Sequence, residues 1–289
     1  MRKPIFRGVC TALVTPFLNG NVNYPMAEML ISRQMENGVN TVVLAGTTGE
    51  SPTLSDQEKQ ELFRKCKDFT GNKCTIIAGT GSNDTSHAVS LSKEAESVGA
   101  DALLVVSPYY NKAMPTGLIS HYTTIADAVN IPVILYNVPS RTGVDIPISV
   151  YKELSSIPNI IGVKEASPDI TKITKIRNAC PEDFYIWSGN DDQTVPAIAL
   201  GAQGVISVVS NVLPAQTQRM AMSALDEKMA IASALQLDLQ PFVELMFSEV
   251  NPIPVKAAMK CIGFDCGGCR MPLTDPSSDC MAKIKAYFQ

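Results

Sequence analysis

The chain has 289 residues, of which 45% are hydrophobic and 18% are charged, and its 24 basic and 28 acidic residues leave a net charge of −4. This composition supplies material for a large core and excludes a disordered chain, while the interspersed charges exclude the clustered basic surface that nucleic acid requires. Because no apolar run approaches the roughly 18 residues that span a bilayer, and the N-terminal MRKPIFRG lacks the apolar stretch of a signal peptide, we expect a globular, cytoplasmic protein without a nucleic acid or membrane partner.

Short apolar runs rich in β-branched residues recur along the chain, and each is followed by turn residues and a longer segment with helical spacing. In chain order, the predicted strands are Val9–Val14, Thr41–Ala45, Thr75–Ala78, Ala102–Val106, Val133–Tyr136, Ile160–Val163, Phe184–Trp187 and Gly204–Val208. Several runs are apolar without alternation, as in strands buried on both faces of a parallel sheet. Eight such units predict an α/β fold, a closed TIM (β/α)8 barrel. The alternative is an open doubly wound sheet, but neither GxGxxG nor GxxxxGK(S/T), its usual fingerprints, occurs.

Helix boundaries and the C-terminal region also follow from local signals. Capping residues precede three predicted helices, at Ser55, Asp84 and Thr116. Glycines are placed to end three helices, at Gly38, Gly71 and Gly99. Beyond the last strand the pattern is helical, over Pro214–Leu225, Lys228–Met246, Pro254–Cys261 and Ser277–Phe288. We therefore divide the chain into a barrel core, residues 1–210, and a last barrel helix with a C-terminal helical extension, residues 211–289.

Lys164 is the main candidate nucleophile. In a barrel the chemistry belongs to the loops after the strands, and Lys164 follows four apolar residues at the sixth strand end. Partly dry surroundings there disfavour the ammonium form, and a neutral amine can attack a ketone to form a Schiff base. A lysine ion-paired with a neighbouring carboxylate is the structural alternative. Lys112, in a polar loop, and Lys256, near a helix start, are weaker candidates.

Hydroxyl and guanidinium groups at other strand ends could serve this amine. Tyr136 and Tyr110 lie at neighbouring strand ends and could move protons through Thr47 as a hydroxyl relay, although a single tyrosine is more often a half-buried packing residue. The loop Gly46–Ser51 offers hydroxyls and backbone amides that could hold a carboxylate. Arg141 could grip a second carboxylate with two hydrogen bonds, or it could be a solvated loop charge.

Ordered strings along the chain resemble the dihydrodipicolinate synthase family, within the pyruvate-dependent class I aldolase superfamily that also contains N-acetylneuraminate lyase. The strings are Thr15-Pro16-Phe17, Gly46–Ser51, Ala78–Gly81, Pro108–Asn111, Tyr136–Gly143, Gly162–Ala166, Gly204–Ser207 and Asn251–Lys256. They cover the chain from about residue 8 to Pro272. The resemblance implies a TIM barrel that condenses pyruvate with L-aspartate 4-semialdehyde, the entry step to diaminopimelate and lysine.

The same resemblance implies roles for the residues of the predicted site. Lys164 would form the pyruvate Schiff base without any further cofactor, and Thr47 and Thr48 would hold the pyruvate carboxylate. Tyr136 and Tyr110 would complete a proton relay with Thr47. In that family the residue matching Tyr110 reaches the neighbouring subunit's site, so at least a dimer is implied, and a homotetramer built as a dimer of dimers is expected.

The substrate and its alternatives follow from further matches. Arg141 matches the arginine at the pocket entrance that engages the semialdehyde's carboxylate, and Gly189 and Ile206 match pocket-lining positions. Sialic-acid lyases generally lack that arginine and usually carry Ser-Thr where Thr47-Thr48 stand here, which favours the synthase over a lyase acting on a sugar acid. A non-catalytic barrel that binds a keto acid is a third hypothesis, which would not require both the amine and the phenols.

The predicted regulatory site departs from the family. Members inhibited by lysine hold it at the dimer interface with polar residues that include a histidine and a glutamate. The matching positions here are Ser51, Lys59, Asn83, His87 and Tyr109. Because Lys59 adds a cation and His87 lacks a carboxylate, the effector's amines would be repelled. We expect weak or absent lysine feedback.

Histidine and cysteine usage limits other chemistries. His87 and His121 are the two histidines, which argues against a histidine-rich metal site or a Ser-His-Asp triad. The eight cysteines are expected to be mostly free thiols. Four of them include a Cys-Gly-Gly-Cys step, at Cys261, Cys266, Cys269 and Cys280. Thiolates could bind zinc there, but the loop resembles an ordinary family segment, and we expect neither a metal nor a disulfide.

Overall fold

Eight parallel strands close into a barrel in the computed structural model, which describes residues 2–289. The strands are β1 (Gly8–Ala12), β2 (Thr41–Leu44), β3 (Thr75–Gly79), β4 (Ala102–Val106), β5 (Val133–Asn137), β6 (Ile160–Glu165), β7 (Tyr185–Ser188) and β8 (Gly204–Ser207). Each strand pairs with the next in the chain, and β8 pairs with β1. The predicted barrel is confirmed, and the strand ends differ from the predicted ones by at most two residues.

The difference matters most at β6. This strand was predicted to end at Val163, with Lys164 just beyond it, whereas Lys164 lies inside the strand. The ladder continues because Lys164 pairs with Tyr136 on β5 and with Trp187 on β7. A side chain on a fully paired strand is held more firmly than one on a loop.

Helices alternate with the strands and continue past them. They are α1 (Tyr24–Glu36), α2 (Asp56–Thr70), α3 (Thr85–Ser97), α4 (Pro115–Asp127), α5 (Pro139–Thr142), α6 (Ile148–Leu154), α7 (Thr171–Ala179), α8 (Thr194–Ala199), α9 (Pro214–Leu225), α10 (Met229–Met246), α11 (Ile253–Cys261) and α12 (Ser278–Tyr287). A short antiparallel hairpin joins Phe17–Leu18 to Asn21–Val22 between β1 and α1. Within residues 2–289, no helix is both long enough and apolar enough to cross a membrane.

The predicted helix signals are mostly confirmed. Ser55 forms a capping box with Glu58 at the start of α2, and Asp84 caps α3 by accepting from the Ser86 amide. The three predicted terminal glycines all have positive φ angles, as Gly38, Gly71 and Gly99. The prediction that Thr116 caps α4 is wrong, because the helix begins one residue earlier, at Pro115. The fixed φ of proline suits the first helical position.

Apolar side chains fill both the inside of the barrel and the layer between strands and helices. The inner cluster includes Cys10 of β1, Ile134 and Tyr136 of β5, Trp187 of β7 and Ile206 of β8. Alternate residues of the same strands face the helices, which buries both faces of the sheet. The carboxyl ends of the strands are left to carry polar groups.

Of the C-terminal helices, α9 packs on the barrel strands, whereas α10, α11 and α12 pack mainly on other helices. Helix α9 packs against β1 and β8 and so occupies the position of the eighth barrel helix, and α10 packs on α8 and α9. Helix α11 contacts α10, α12 and the 3₁₀ turn Val209–Asn211 that follows β8. The division of the chain at residue 210 stays a prediction.

Candidate active site

A cavity of about 470 Å³ opens at the carboxyl ends of β2 to β5. Its lining includes Thr47 after β2, Leu104 and Val106 of β4, Tyr136 of β5 and Arg141 of α5. In barrels of this type the carboxyl-terminal face is where catalytic side chains collect. The cavity therefore brings three of the predicted catalytic and substrate-binding residues together on one surface.

Lys164 and Tyr136 are neighbours across the β5–β6 ladder. They are paired in register, and the Lys164 Nζ lies 4.4 Å from the centroid of the Tyr136 ring. Lys164 is 5% exposed, and Tyr136 belongs to the inner apolar cluster. Burial beside an aromatic face shields the amine from bulk water. The amine and the phenol are placed to act on the same bound molecule.

Glu165, the carboxylate next to Lys164 on β6, is not placed to form an ion pair with it. Its neighbour Glu165 faces the opposite side of β6, as strand alternation requires. There Glu165 accepts hydrogen bonds from the Asn137 side chain and from the backbone amide of Ser167. Burial raises the pKa of Glu165, and the nearby charge of Lys172 partly opposes that rise. Glu165 stabilises the outer face of the barrel and does not neutralise Lys164.

The two weaker nucleophile candidates lie in unsuitable places. Lys256 is buried but donates to Glu50 at 2.7 Å and to the Gly268 carbonyl at 3.0 Å, so its lone pair is unavailable. Lys112 is exposed in the loop after β4. Lys164 is therefore the buried lysine that faces the barrel interior beside a phenol.

The loop after β2 carries the predicted carboxylate-binding pair. Thr47 is half-buried and lines the cavity, whereas Thr48 is buried and its Oγ1 accepts from the Asn251 side chain at 3.0 Å. Among residues 2–289, the backbone amides of Thr47 and Thr48 find no acceptor. Adjacent free amides in a tight turn form a concave donor surface that suits an anion.

Tyr110 does not join the cavity within a single chain. Its side chain is 87% exposed and its φ is +71°, a conformation that non-glycine residues adopt infrequently. Its neighbour Tyr109 lines the cavity instead. A hydroxyl relay containing Tyr110 is therefore not assembled by one chain, and the predicted role needs a second copy.

The remaining predicted substrate-binding residues occupy different depths. Arg141 is exposed at the rim of the cavity, on α5. A Cβ at Gly189 would lie 3.0 Å from the Lys164 Cε and 2.5 Å from the Ala166 Cβ, so only glycine leaves room for the lysine. Ile206 is fully buried in the inner cluster.

Five positions predicted for regulation line the same cavity: Ser51, Lys59, Asn83, His87 and Tyr109. Lys59 is 7% exposed, and burial lowers its pKa. The His87 Nε2 lies 2.9 Å from a carboxylate oxygen of Asp56, and its Nδ1 lies 3.2 Å from the Ser82 hydroxyl. The predicted regulatory cluster and the predicted catalytic site are thus continuous.

A buried carboxylate near the site had no role in the sequence prediction. Asp191 follows β7 and accepts hydrogen bonds from the Ser207 hydroxyl and from the amides of Val208 and Val209. Burial raises its pKa, and these hydrogen bonds and the charge of Lys164 oppose that rise. Asp191 ties the β7 loop to the β8 loop, a role for which the local sequence carries no signal.

The four C-terminal cysteines are all free thiols. Burial raises the pKa of Cys266 to about 12 and that of Cys269 to about 11, so neither is a ready thiolate. Within residues 2–289, no three histidine, cysteine, aspartate or glutamate side chains are grouped as a metal site.

Comparison with known proteins gives a consistent result. A model of the dihydrodipicolinate synthetase family matches residues 5–289. The 4-hydroxy-tetrahydrodipicolinate synthases of Acetivibrio thermocellus and Caldicellulosiruptor saccharolyticus are 46% and 47% identical, covering 95% and 94% of this chain and 94% and 92% of those proteins. A lysine-bound dihydrodipicolinate synthase structure from Cyanidioschyzon merolae is 40% identical with a TM-score of 0.95, covering 98% of this chain and 97% of that one. This chain belongs to the dihydrodipicolinate synthetase family.

Proposed function

We propose that this chain is a lyase that condenses pyruvate with L-aspartate 4-semialdehyde, giving 4-hydroxy-tetrahydrodipicolinate in the diaminopimelate route to lysine. Its curated relatives, 46% and 47% identical over almost the whole chain, bear the name of this synthase. The observation that carries the chemistry is the buried amine of Lys164 beside the ring of Tyr136. An imine on lysine is itself an electron sink, so the reaction needs no metal or organic cofactor.

The reaction begins on the pyruvate ketone. The Lys164 amine adds to C2, and loss of water from the carbinolamine leaves an imine. Loss of a methyl proton gives the enamine, whose carbon attacks the aldehyde of the semialdehyde and forms the new carbon–carbon bond. The semialdehyde's amino group then adds to C2 and closes the ring. Departure of the Lys164 amine releases the product and restores the enzyme.

The other site residues bind substrates and move protons in this proposal. The free amides and hydroxyls of the Thr47-Thr48 turn hold the pyruvate carboxylate. The Tyr136 hydroxyl exchanges protons with the carbinolamine and the developing alkoxide, with Thr47 as relay. Arg141, at the rim of the cavity, binds the semialdehyde's carboxylate.

Borohydride reduction tests this function. In the presence of pyruvate, the reduced adduct is expected on the peptide that contains Lys164, and the purified chain should then turn over aspartate semialdehyde. Absence of any adduct would leave the non-catalytic keto-acid-binding barrel as the better hypothesis. An adduct with turnover of a sugar acid in place of the semialdehyde would favour the alternative lyase, against which Arg141 at the rim argues.

The assembly we propose is a cytoplasmic homotetramer built as a dimer of dimers. All eight cysteines are free, which fits a reducing compartment. Tyr110 is exposed and held at a positive φ, which costs energy that a contact with a neighbouring subunit would offset.

Mixing two inactive variants tests the role of Tyr110 across subunits. Chains with Lys164→Ala and chains with Tyr110→Phe should each be nearly inactive, but co-expressed chains should recover roughly a quarter of the wild-type sites by random pairing in a two-fold dimer. The recovered site combines the intact Lys164 of one chain with the intact Tyr110 of the other. Activity no higher than the sum of the two separate variants would show that Tyr110 does not act in trans.

Lysine is expected to inhibit this chain weakly or not at all. Lys59 brings a buried cation to the cavity, and the Asp56 carboxylate there is engaged by His87. Both features disfavour a ligand that carries two ammonium groups. Half-inhibition at sub-millimolar lysine would contradict this prediction.

A gain-of-function variant sharpens the lysine prediction. Lys59→His with His87→Glu removes the cation and adds a carboxylate, and it should lower the lysine concentration for half-inhibition at least about tenfold, the effect of one favourable charge contact. The matched control is Lys93→His, an exposed position on α3 outside the cavity lining. An unchanged lysine response in the double variant would show that these positions do not select the effector.

A further inference from the structure

We propose that Asn251 and the Glu50–Lys256 ion pair are positioning residues that hold the Thr47-Thr48 turn in the shape that binds the pyruvate carboxylate. This inference rests on the proposed function and extends it to the C-terminal segment. None of the three residues lines the cavity, so they act through the turn.

The turn after β2 needs outside support because its backbone is strained. Ala45, which precedes it, has a φ of +50°, and Glu50, which ends it, has a φ of +56°. A left-handed backbone is unfavourable for a non-glycine residue, so the turn would relax if nothing held it. Its internal bonds are few, with the Glu50 amide donating to the Thr47 carbonyl at 3.1 Å and the Ser51 amide to the Gly46 carbonyl at 3.2 Å.

The ion pair fixes the end of the turn. Lys256 of α11 donates to the Glu50 carboxylate at 2.7 Å, and the Arg270 amide donates to its other oxygen at 2.8 Å. The side chains of Lys256 and Glu50 are 3% and 1% exposed. A buried carboxylate with both oxygens bound cannot swing without breaking a charge-assisted bond, so the left-handed backbone of Glu50 is held in place.

Lys256 and Arg270, which both bind the Glu50 carboxylate, also pack against one aromatic ring. The Lys256 Nζ lies 4.3 Å from the centroid of the Phe17 ring, and the Arg270 guanidinium lies 4.4 Å from the same ring. Arg270 also pairs with Glu58 at the start of α2 and donates to the Thr53 carbonyl at 2.8 Å. The contacts of Lys256 and Arg270 therefore connect the C-terminal segment to both ends of the β2–α2 connection.

Asn251 fixes the middle of the turn. Its side-chain amide donates to the Thr48 Oγ1, which occupies a lone pair of that hydroxyl and leaves its hydrogen to donate elsewhere. The Thr15 hydroxyl, on the β1 side, donates to the Gly49 carbonyl at 2.6 Å. The turn is thus held from both sides. These bonds fix the orientation of its backbone amides at Thr47 and Thr48.

Selective loss of pyruvate affinity is the expected consequence. Asn251→Asp replaces the donor to Thr48 with an anion next to the proposed carboxylate site. It should raise the KM for pyruvate about 10- to 100-fold, the range for losing one hydrogen bond to the charged carboxylate of the substrate. The KM for aspartate semialdehyde should change less than about threefold, since Arg141 is not connected to this network. Asn251→Ala should raise the pyruvate KM to a smaller degree.

A paired variant separates positioning from folding. Glu50→Gln with Lys256→Met removes both charges together, which avoids leaving one buried charge uncompensated. It should fold, with a circular dichroism spectrum like that of wild type, and should still show a raised pyruvate KM. The matched control is Asp279→Asn with Lys283→Met, which removes an exposed ion pair of α12 in the same extension and should leave both KM values unchanged.

Borohydride trapping distinguishes the two proposals. If wild type forms no pyruvate adduct on Lys164, the proposed function itself fails. If wild type forms the adduct but every variant at Asn251, Glu50 and Lys256 keeps a pyruvate KM within twofold of wild type, the positioning role is overturned. It is equally overturned if both KM values rise together in proportion to a loss of thermal stability, because that is the signature of a purely structural role.

Discussion

Replacing Lys164 with alanine is expected to lower kcat/KM by about 10³-fold or more, because the covalent route through the imine is lost entirely. Borohydride should then trap no pyruvate on the chain. Lys164→Arg is the informative companion, since it supplies a positive charge on a guanidinium that does not deprotonate in proteins. Both variants should fold, because within residues 2–289 Lys164 makes no salt bridge that its loss would leave unbalanced. Steady-state rates and intact-protein mass after reduction measure the two effects.

The control for Lys164 is Lys112, the exposed lysine considered as a rival nucleophile. Lys112→Ala, at an exposed position, should keep the adduct and nearly full activity. Retention of substantial activity by Lys164→Arg would show that the residue acts through its charge. Trapping in Lys164→Ala would place the nucleophile elsewhere.

Replacing Tyr136 with phenylalanine is expected to lower kcat by about 10²- to 10⁴-fold, the usual contribution of a positioned proton-transfer group. Phenylalanine keeps the ring that lies 4.4 Å from the Lys164 Nζ and removes only the hydroxyl. The amine's environment should therefore persist, and slow pyruvate trapping should remain detectable. The measurement is kcat together with the rate of adduct formation under single-turnover conditions.

Tyr185→Phe is the matched control for Tyr136. It removes a hydroxyl from β7 that donates to the Arg2 carbonyl at 2.6 Å, at the amino end of the barrel, away from the proposed chemistry. It should keep near wild-type kcat. If Tyr136→Phe also stayed within threefold of wild type, Tyr136 would be a packing residue, the alternative that its place in the inner cluster leaves open.

Local sequence was enough to predict the barrel and the identity of its main candidate residues. Strand and helix periodicity acts over a few residues, so runs such as Ala102–Val106 and a helix such as Pro214–Leu225 could be identified with the bounds that the structure shows. Strand ends share one face of a barrel, which is why Thr47, Tyr136 and Arg141 could be expected to meet. The resemblance to the synthase family added their roles.

Only the tertiary structure decided how these residues are supported. Asn251 reaches Thr48 across 203 residues of sequence, and Lys256 reaches Glu50 across 206, distances over which no local pattern carries information. Lys256 therefore looked like a weak nucleophile in the sequence, whereas in the fold it is a buried partner of Glu50. Likewise, Tyr110 is exposed and has a positive φ, and no local sequence pattern predicts either feature. The sequence by itself determined the barrel, because strand and helix periodicity is short-range, and it placed the candidate reactive groups at the strand ends. Contacts between distant segments decided what holds those groups in place.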